Sequence, residues 1–244
     1  MSQSVPKKDA GIDLTKKAHM LIRQMMFHNE IVPGQKLAYR DLAQRLNMSL
    51  TPVSNALKYL EFQGLVRKEL NRGYYTESIS MKEVQEIYDF RELIEVSLLQ
   101  DSIANIDKRG KQRLREAFEA SVDTPDNSYI SRRATKDVQF HMTLAELSQN
   151  RTQSRALGHL FDLLYLKYGG DVLFSQYMKP DDFAAHIAST ASCHQQIFDA
   201  VIGGDLDRAK KALSHHINAV KEDVLSGLRR MLEDKNTSTF EAII

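Results

Sequence analysis

Four residues carry the chemistry most worth testing: Asp137, His141, His194 and His216. Asp137 and His141 stand four positions apart, so in a helix both side chains project from one side. Phe140, Leu144 and Leu147 put that side near a core. Such a pair can be a hydrogen-bonded core pair, or it can offer one carboxylate oxygen and one imidazole nitrogen to a metal ion. His194 lies on the apolar stripe of Ile197 and Val201, and His216 on that of Leu206, Ala209, Leu213 and Val220. His215 is rotated about 100° from His216 on a helical wheel, towards an edge or solvent. A lone inward histidine is usually a satisfied core residue. Three of them with an aspartate, each facing inward from a bundle, also describe a metal site, so packing and ligation both stand at this point. His186 is two turns before His194 and could line the same cavity or lie half exposed. Cys193 reads as a small core residue. Arg91 shares the face of Ile87, Ile94 and Leu98, where a guanidinium needs an anion. That anion is either a structural carboxylate or a carboxylate ligand held in a fork.

The elements that must position these residues are helices. From Lys82 onward, apolar residues recur at helical period over 82–106, 109–121, 128–149, 152–169, 181–203 and 205–233. Gly110, Gly169-Gly170, Pro180 and Gly203-Gly204 fall between or near these segments. Ser80 followed three residues later by Glu83 has capping-box spacing for the first of them. The pattern predicts an antiparallel all-α bundle of roughly six or seven helices, whose interior is where facing helices build ligand and metal sites.

The stretch before it is organised differently. Thr15 to about Asn29 reads as a helix with Ala18, Leu21, Ile22, Met25 and Met26 inward. Leu42, Ala43 and Leu46 form the face of a short helix that Asn47 ends, because asparagine tolerates the left-handed conformation. Ser49 is placed to cap the next helix through its hydroxyl, and Pro52 sits in that helix's first turn, where no N–H is needed. Val53, Leu57 and Leu60 give it a buried stripe, and Gly64 stops it. Leu65–Lys68 and Tyr74–Thr76 read as two strands around Asn71-Arg72-Gly73. This is a winged helix-turn-helix, with a helix sized for the DNA major groove. The alternative is an ordinary three-helix domain that binds no nucleic acid.

The expected architecture is therefore mainly α: a disordered 1–10, a winged helix-turn-helix over 11–78, a linker 79–82, an all-α body over 83–235 and a tail 236–244. Composition agrees, with 42% hydrophobic and 27% charged residues. The first 78 residues carry 12 Lys/Arg against 7 Asp/Glu and the rest 21 against 25, which suits a DNA-binding head on a body that does something else. No run of apolar residues is long enough to span a membrane, and the N-terminal MSQSVPKKDA has no apolar core of a secretory signal. One cysteine suits a reducing cytoplasm.

Taken together the motifs resemble a known family. Pro33-Gly34-Gln35-Lys36-Leu37, Arg40-Asp41-Leu42-Ala43, Ser49, Thr51-Pro52-Val53, Ala56-Leu57, Leu60-Glu61, Gly64-Leu65-Val66 and Arg72-Gly73 resemble the DNA-binding head of the GntR superfamily of bacterial transcription regulators. Arg91-Glu92-Leu93 with Glu95, Asp137…Phe140-His141, Ser148 with Asn150, and His194…Ile197…Ala200-Val201…Gly204-Asp205…Ala209…Leu213…His216 resemble the FCD ligand-binding domain of its FadR-like subfamily. The resemblance spans about 15–235 and implies a homodimer, not an enzyme, that binds double-stranded operator DNA. It also implies a divalent metal held by Asp137, His141, His194 and His216. Zinc is the first expectation, with nickel, manganese or iron as the others a mixed nitrogen and oxygen set accepts. A small organic acid would complete the site, with Arg91, Asn150 and His186 as effector contacts. Arg40, Ser49, Thr51, Ser54, Asn55, Lys58, Arg72 and Gly73 are the DNA-facing candidates. The family's recognition helix usually opens S-R-T-P-V-R-E, whereas this one has Leu50 and Ser54 at the two arginine positions. That departure predicts an altered base preference, with adenine read by Asn55, and lower affinity. Rival readings of the same Asp/His set are a metal-dependent hydrolase, a pure metal sensor and a structural metal. No HExxH-like pairing supports the first, which would also leave the head unexplained.

Overall fold

A computed structural model describes residues 13–78, 80–122, 130–167 and 180–238. The expected disordered segment 1–10, Ile79 of the linker, 128–129 and 168–169 of two expected helices, Gly169-Gly170, and 239–244 of the tail lie outside the described residues. The chain divides into two compact units, Met1–Ser78 and Ile79–Ile244.

In the first unit α1 is Leu14–Phe27, α2 Tyr39–Arg45 and α3 Leu50–Phe62. Asp13 starts α1 by accepting the Thr15 and Lys16 amides. Ala18, Ile22, Met25 and Met26 bury that helix against the α3 stripe of Val53, Ala56, Leu57 and Leu60, while Leu21 and Leu46 are only half buried. Asn47 turns the chain between α2 and α3 with φ of 49°. Pro52 is buried in the first turn of α3 as expected, but Ser49 makes no side-chain cap bond there, against the sequence expectation. The wing is β2 (Val66–Glu69) antiparallel to β3 (Gly73–Thr76), with Glu69 opposite Gly73. Asn71 at φ 60° and Gly73 at φ 104° supply the left-handed residues that so tight a turn requires. The sequence reading missed a third strand, β1 (Lys36–Leu37), which pairs with β3. Thr76 fixes that corner, with its buried hydroxyl 2.7 Å from both Val32 O and Gln35 N.

The second unit is all helical among the described residues: α4 Met81–Asn105, α5 Lys108–Val122, α6 Ile130–Leu147, α7 Arg151–Asp162, a π-helical turn Leu163–Lys167, α8 Pro180–Gly203 and α9 Leu206–Ser238. Ser80 caps α4 by accepting the Glu83 amide, while the Glu83 carboxylate reaches Lys167 of the π turn at 2.7 Å. α4 is the central helix. It packs on α6, α7, α8 and α9, and α5 lies against α6 and α8. Val84, Ile87, Ile94, Leu98 and Leu99 give α4 its apolar seam. Each such side chain contributes about 1.5–3 kcal/mol on burial. Gly110 lies in the first turn of α5, where a Cβ would meet Leu147 Cδ2 at 2.8 Å. That glycine lets α5 and α6 approach closely. Helix α9 runs three residues past the expected end at about 235, to Ser238.

Candidate functional site

The bundle brings four donor atoms together. Asp137 and His141 come from α6, His194 from α8 and His216 from α9, and one ligand atom of each lies within 4.8 Å of all the others. The three histidines are fully buried and Asp137 nearly so, with 15% of its side chain exposed. His141 Nε2 and His216 Nε2 are 3.1 Å apart, and His194 Nε2 and His216 Nε2 are 3.3 Å apart. Asp137 Oδ1 is 3.3 Å from His194 Nε2 and 4.0 Å from His141 Nε2. His215 is exposed, as its place on the helical wheel requires.

The outer hydrogen bonds settle which way the imidazoles present themselves. His141 Nδ1 is 2.5 Å from Glu95 Oε2. A carboxylate only accepts, so Nδ1 carries the proton and Nε2 turns a lone pair inward. His194 Nδ1 is 3.0 Å from Ser121 Oγ, whose own proton goes to the Phe118 carbonyl. The serine oxygen therefore accepts from His194 Nδ1–H, and this Nε2 lone pair also faces the centre. With Asp137 Oδ1, three acceptors converge on the space that His216 Nε2 also faces. A cation at the centre satisfies all of these lone pairs at once. Donor atoms about 2.1 Å from one ion lie about 3.0–3.4 Å apart at neighbouring positions, the separation seen in three of these four pairs. The residues present therefore fit a divalent metal.

Electrostatics point the same way. Burial lowers the His216 imidazole well below its ordinary value, and the neighbouring His194 and His141 push further in that direction. Burial also lowers His194, with Asp137 opposing. Burial would raise the Asp137 carboxyl, but its neighbours His194, His141 and Arg91 hold it well below the usual carboxylate range. A neutral imidazole and an ionised carboxylate are the forms that bind metal.

Arg91 of α4 is buried beside this set. Its Nε is 2.5 Å from Glu95 Oε1, and its guanidinium carbon is 4.6 Å from the Phe161 ring centre and 5.6 Å from that of Tyr88. Its Nη2 is buried with no hydrogen-bond partner among the described residues. A buried guanidinium nitrogen left unpaired is costly unless something else accepts from it. The two other effector candidates each have a partner of their own. Asn150 caps α7 by accepting the Gln153 amide at 3.1 Å. His186 pairs through Nδ1 with Asp223 Oδ2 at 2.7 Å, in a depression it shares with Asp182, Ser189 and Arg230. The residues that position the set, Glu95 and Ser121, were given no role from the sequence. Glu95 had a signal: it follows Arg91 by one helical turn on an apolar face. Ser121 had none.

In the head, Arg40, Ser49, Leu50, Thr51 and Lys58 are exposed on α2 and the start and middle of α3, while Ser54 and Asn55 are half buried. Arg72 stands exposed at the wing tip, 3.7 Å from Glu69, with Gly73 beside it. Helix α3 contains no arginine.

Comparison with known proteins places both units. Residues 14–75 match the model described as bacterial regulatory proteins, gntR family, and residues 86–219 match the FCD domain. An uncharacterized HTH-type transcriptional regulator, YdhC of Bacillus subtilis, is 27% identical over 206 residues, covering 81% of this chain and 84% of that protein. The HTH-type transcriptional regulator LutR of the same organism is 26% identical, covering 83% and 97%. Among solved structures, Escherichia coli McbR/YncC superposes with a TM-score of 0.75 at 16% identity, over 90% of this chain and all of that one. A putative GntR transcriptional regulator from Rhodococcus sp. RHA1 superposes with a TM-score of 0.70 at 20% identity, over 87% and 97%. No described helix is long and apolar enough to cross a membrane.

Proposed function

This chain belongs to the GntR family of bacterial transcription regulators, with an FCD domain as its body, and on that premise we propose that a divalent metal and a small organic acid together control its grip on operator DNA. Asp137, His141, His194 and His216 hold the metal. The bound ion supplies positive charge that an acid's carboxylate can meet. Arg91 supplies the other recognition group through Nη2, and the Phe161 and Tyr88 rings beside it shield that contact from water. The observation that carries the reading is the convergence of Asp137 and three histidines next to a buried guanidinium nitrogen that has no partner among the described residues.

DNA is read by α3, with Arg40, Lys58 and Arg72 set against phosphates and Asn55 against a base edge. A homodimer would present two such heads to a palindrome. The acid and metal favour one state of the bundle, and the difference in operator affinity between states is the output. Asn150, which caps α7, and His186, which pairs with Asp223, stay in the proposal as further effector contacts.

The test begins with metal content of the full chain purified without chelator, by mass spectrometry. About one ion per chain is expected, lost in His194→Ala and His216→Ala and kept in His215→Ala. Operator binding is then titrated with zinc, with organic acids, and with both. Affinity that responds to an acid only with metal present supports the reading. Affinity that follows zinc and ignores every acid makes the metal itself the signal. Histidine variants that bind operator and metal as the parent does would overturn it.

A further inference from the structure

We propose that Glu95 couples the acid-binding arginine to the metal, so that each ligand tightens the other. This rests on the reading above and adds the device that links its two halves. The Glu95 carboxylate is buried and gives one oxygen to each side: Oε1 to Arg91 Nε and Oε2 to His141 Nδ1, both at 2.5 Å. Glu95 thus hydrogen-bonds both the guanidinium and a member of the donor set. Arg91 and Glu95 share one turn of α4, while His141 comes from α6, so the carboxylate also ties the central helix to the helix that carries two of the four donors.

The physical link is competition for one negative charge. A metal on His141 Nε2 draws electron density from the ring and makes Nδ1–H a stronger donor, which pulls Glu95 towards His141. Arg91 then has less of the Glu95 charge and is a better partner for an added carboxylate. An acid on Arg91 Nη2 does the reverse: it satisfies the guanidinium and leaves Glu95 freer for His141. Both changes have the same sign, and thermodynamic linkage makes their sizes equal. Glutamate is needed because both neighbours are donors. Glutamine keeps the shape but can accept from only one of them, since its amide nitrogen would face the other.

The test measures zinc affinity of the full chain by competition with a chromophoric chelator, with and without acetate as the carboxylate probe. In the parent chain, acetate should tighten zinc by about fivefold or more. In Glu95→Gln, zinc should bind about 10–100-fold more weakly, and acetate should no longer change it. Glu95→Gln that keeps the parent's zinc affinity and acetate response overturns the proposal, even if its melting temperature falls. A parent chain that binds no zinc overturns both this and the reading beneath it. A parent that binds zinc without any acetate response overturns the coupling alone. If Glu95→Gln does not fold, the metal-free parent still decides: imidazole ¹⁵N spectra must show His141 protonated on Nδ1, and a proton on Nε2 overturns the proposal.

Discussion

At the scale of single residues, the body holds two imidazoles neutral and one carboxyl ionised to lower pH than water would. His194 and His216 are pushed down from an ordinary value of 6.5, chiefly by burial. Above that value neither the folded nor the unfolded chain holds the proton, so the two histidines contribute nothing to pH dependence. Below it the unfolded chain takes up protons that the folded chain refuses, so folding stability must fall. Asp137 behaves in the other window: held well below 3.8, it keeps its contribution until the pH drops under that value. Urea midpoints of the metal-free chain should therefore decline from roughly pH 6.5 downward. The variant His216→Gln should flatten that decline. A midpoint that stays level between neutrality and roughly pH 5 would contradict the assignment of neutral, buried imidazoles.

At the scale of elements, two serines in equivalent positions differ. Ser80 accepts the Glu83 amide and so holds the start of α4, the helix carrying Arg91 and Glu95. Ser49 precedes α3 without a side-chain cap bond. Ser80→Ala should cost about 1 kcal/mol in chemical denaturation and Ser49→Ala clearly less. Ser49→Ala should instead act on operator affinity, since its hydroxyl is exposed beside the DNA-facing positions. Equal stability losses would mean the two caps are equivalent after all. Other local features escaped a reading by period. A two-residue strand, β1, has no alternation to detect, and a π turn at Leu163–Lys167 preserves the apolar character of a helix while shifting its register.

At the scale of the whole molecule, a basic head and a slightly acidic body divide the work. Affinity for DNA should depend on salt through the few phosphate-facing cations. Lys58→Ala should weaken binding to all sequences and lower the salt slope by about 1. Asn55→Ala should cost about 1–3 kcal/mol at the preferred site and relax the choice of base there. With no arginine in α3, duplexes selected from a random pool should lack the guanine that an arginine fork would fix. Leu50→Arg with Ser54→Arg should bring guanine back. Selection of a guanine-anchored half-site by the parent chain would refute this account of the helix.

What the sequence determined by itself was the class of each element and the direction in which its key residues face. Helical period turned Asp137, His141, His194, His216 and Arg91 inward and His215 outward, because a fixed rotation per residue makes a face legible from spacing alone. Turn chemistry did the same for the wing, where Asn71 and Gly73 occupy conformations other residues avoid. Tertiary structure alone decided which inward residues meet. Donors from α6, α8 and α9 converge because of how the helices pack, which no periodicity encodes. The same packing sent His186 to Asp223, spent Asn150 on a helix end, and set Glu95 between Arg91 and His141. Those outcomes depend on distances between elements far apart in the chain, and only the folded bundle supplies them.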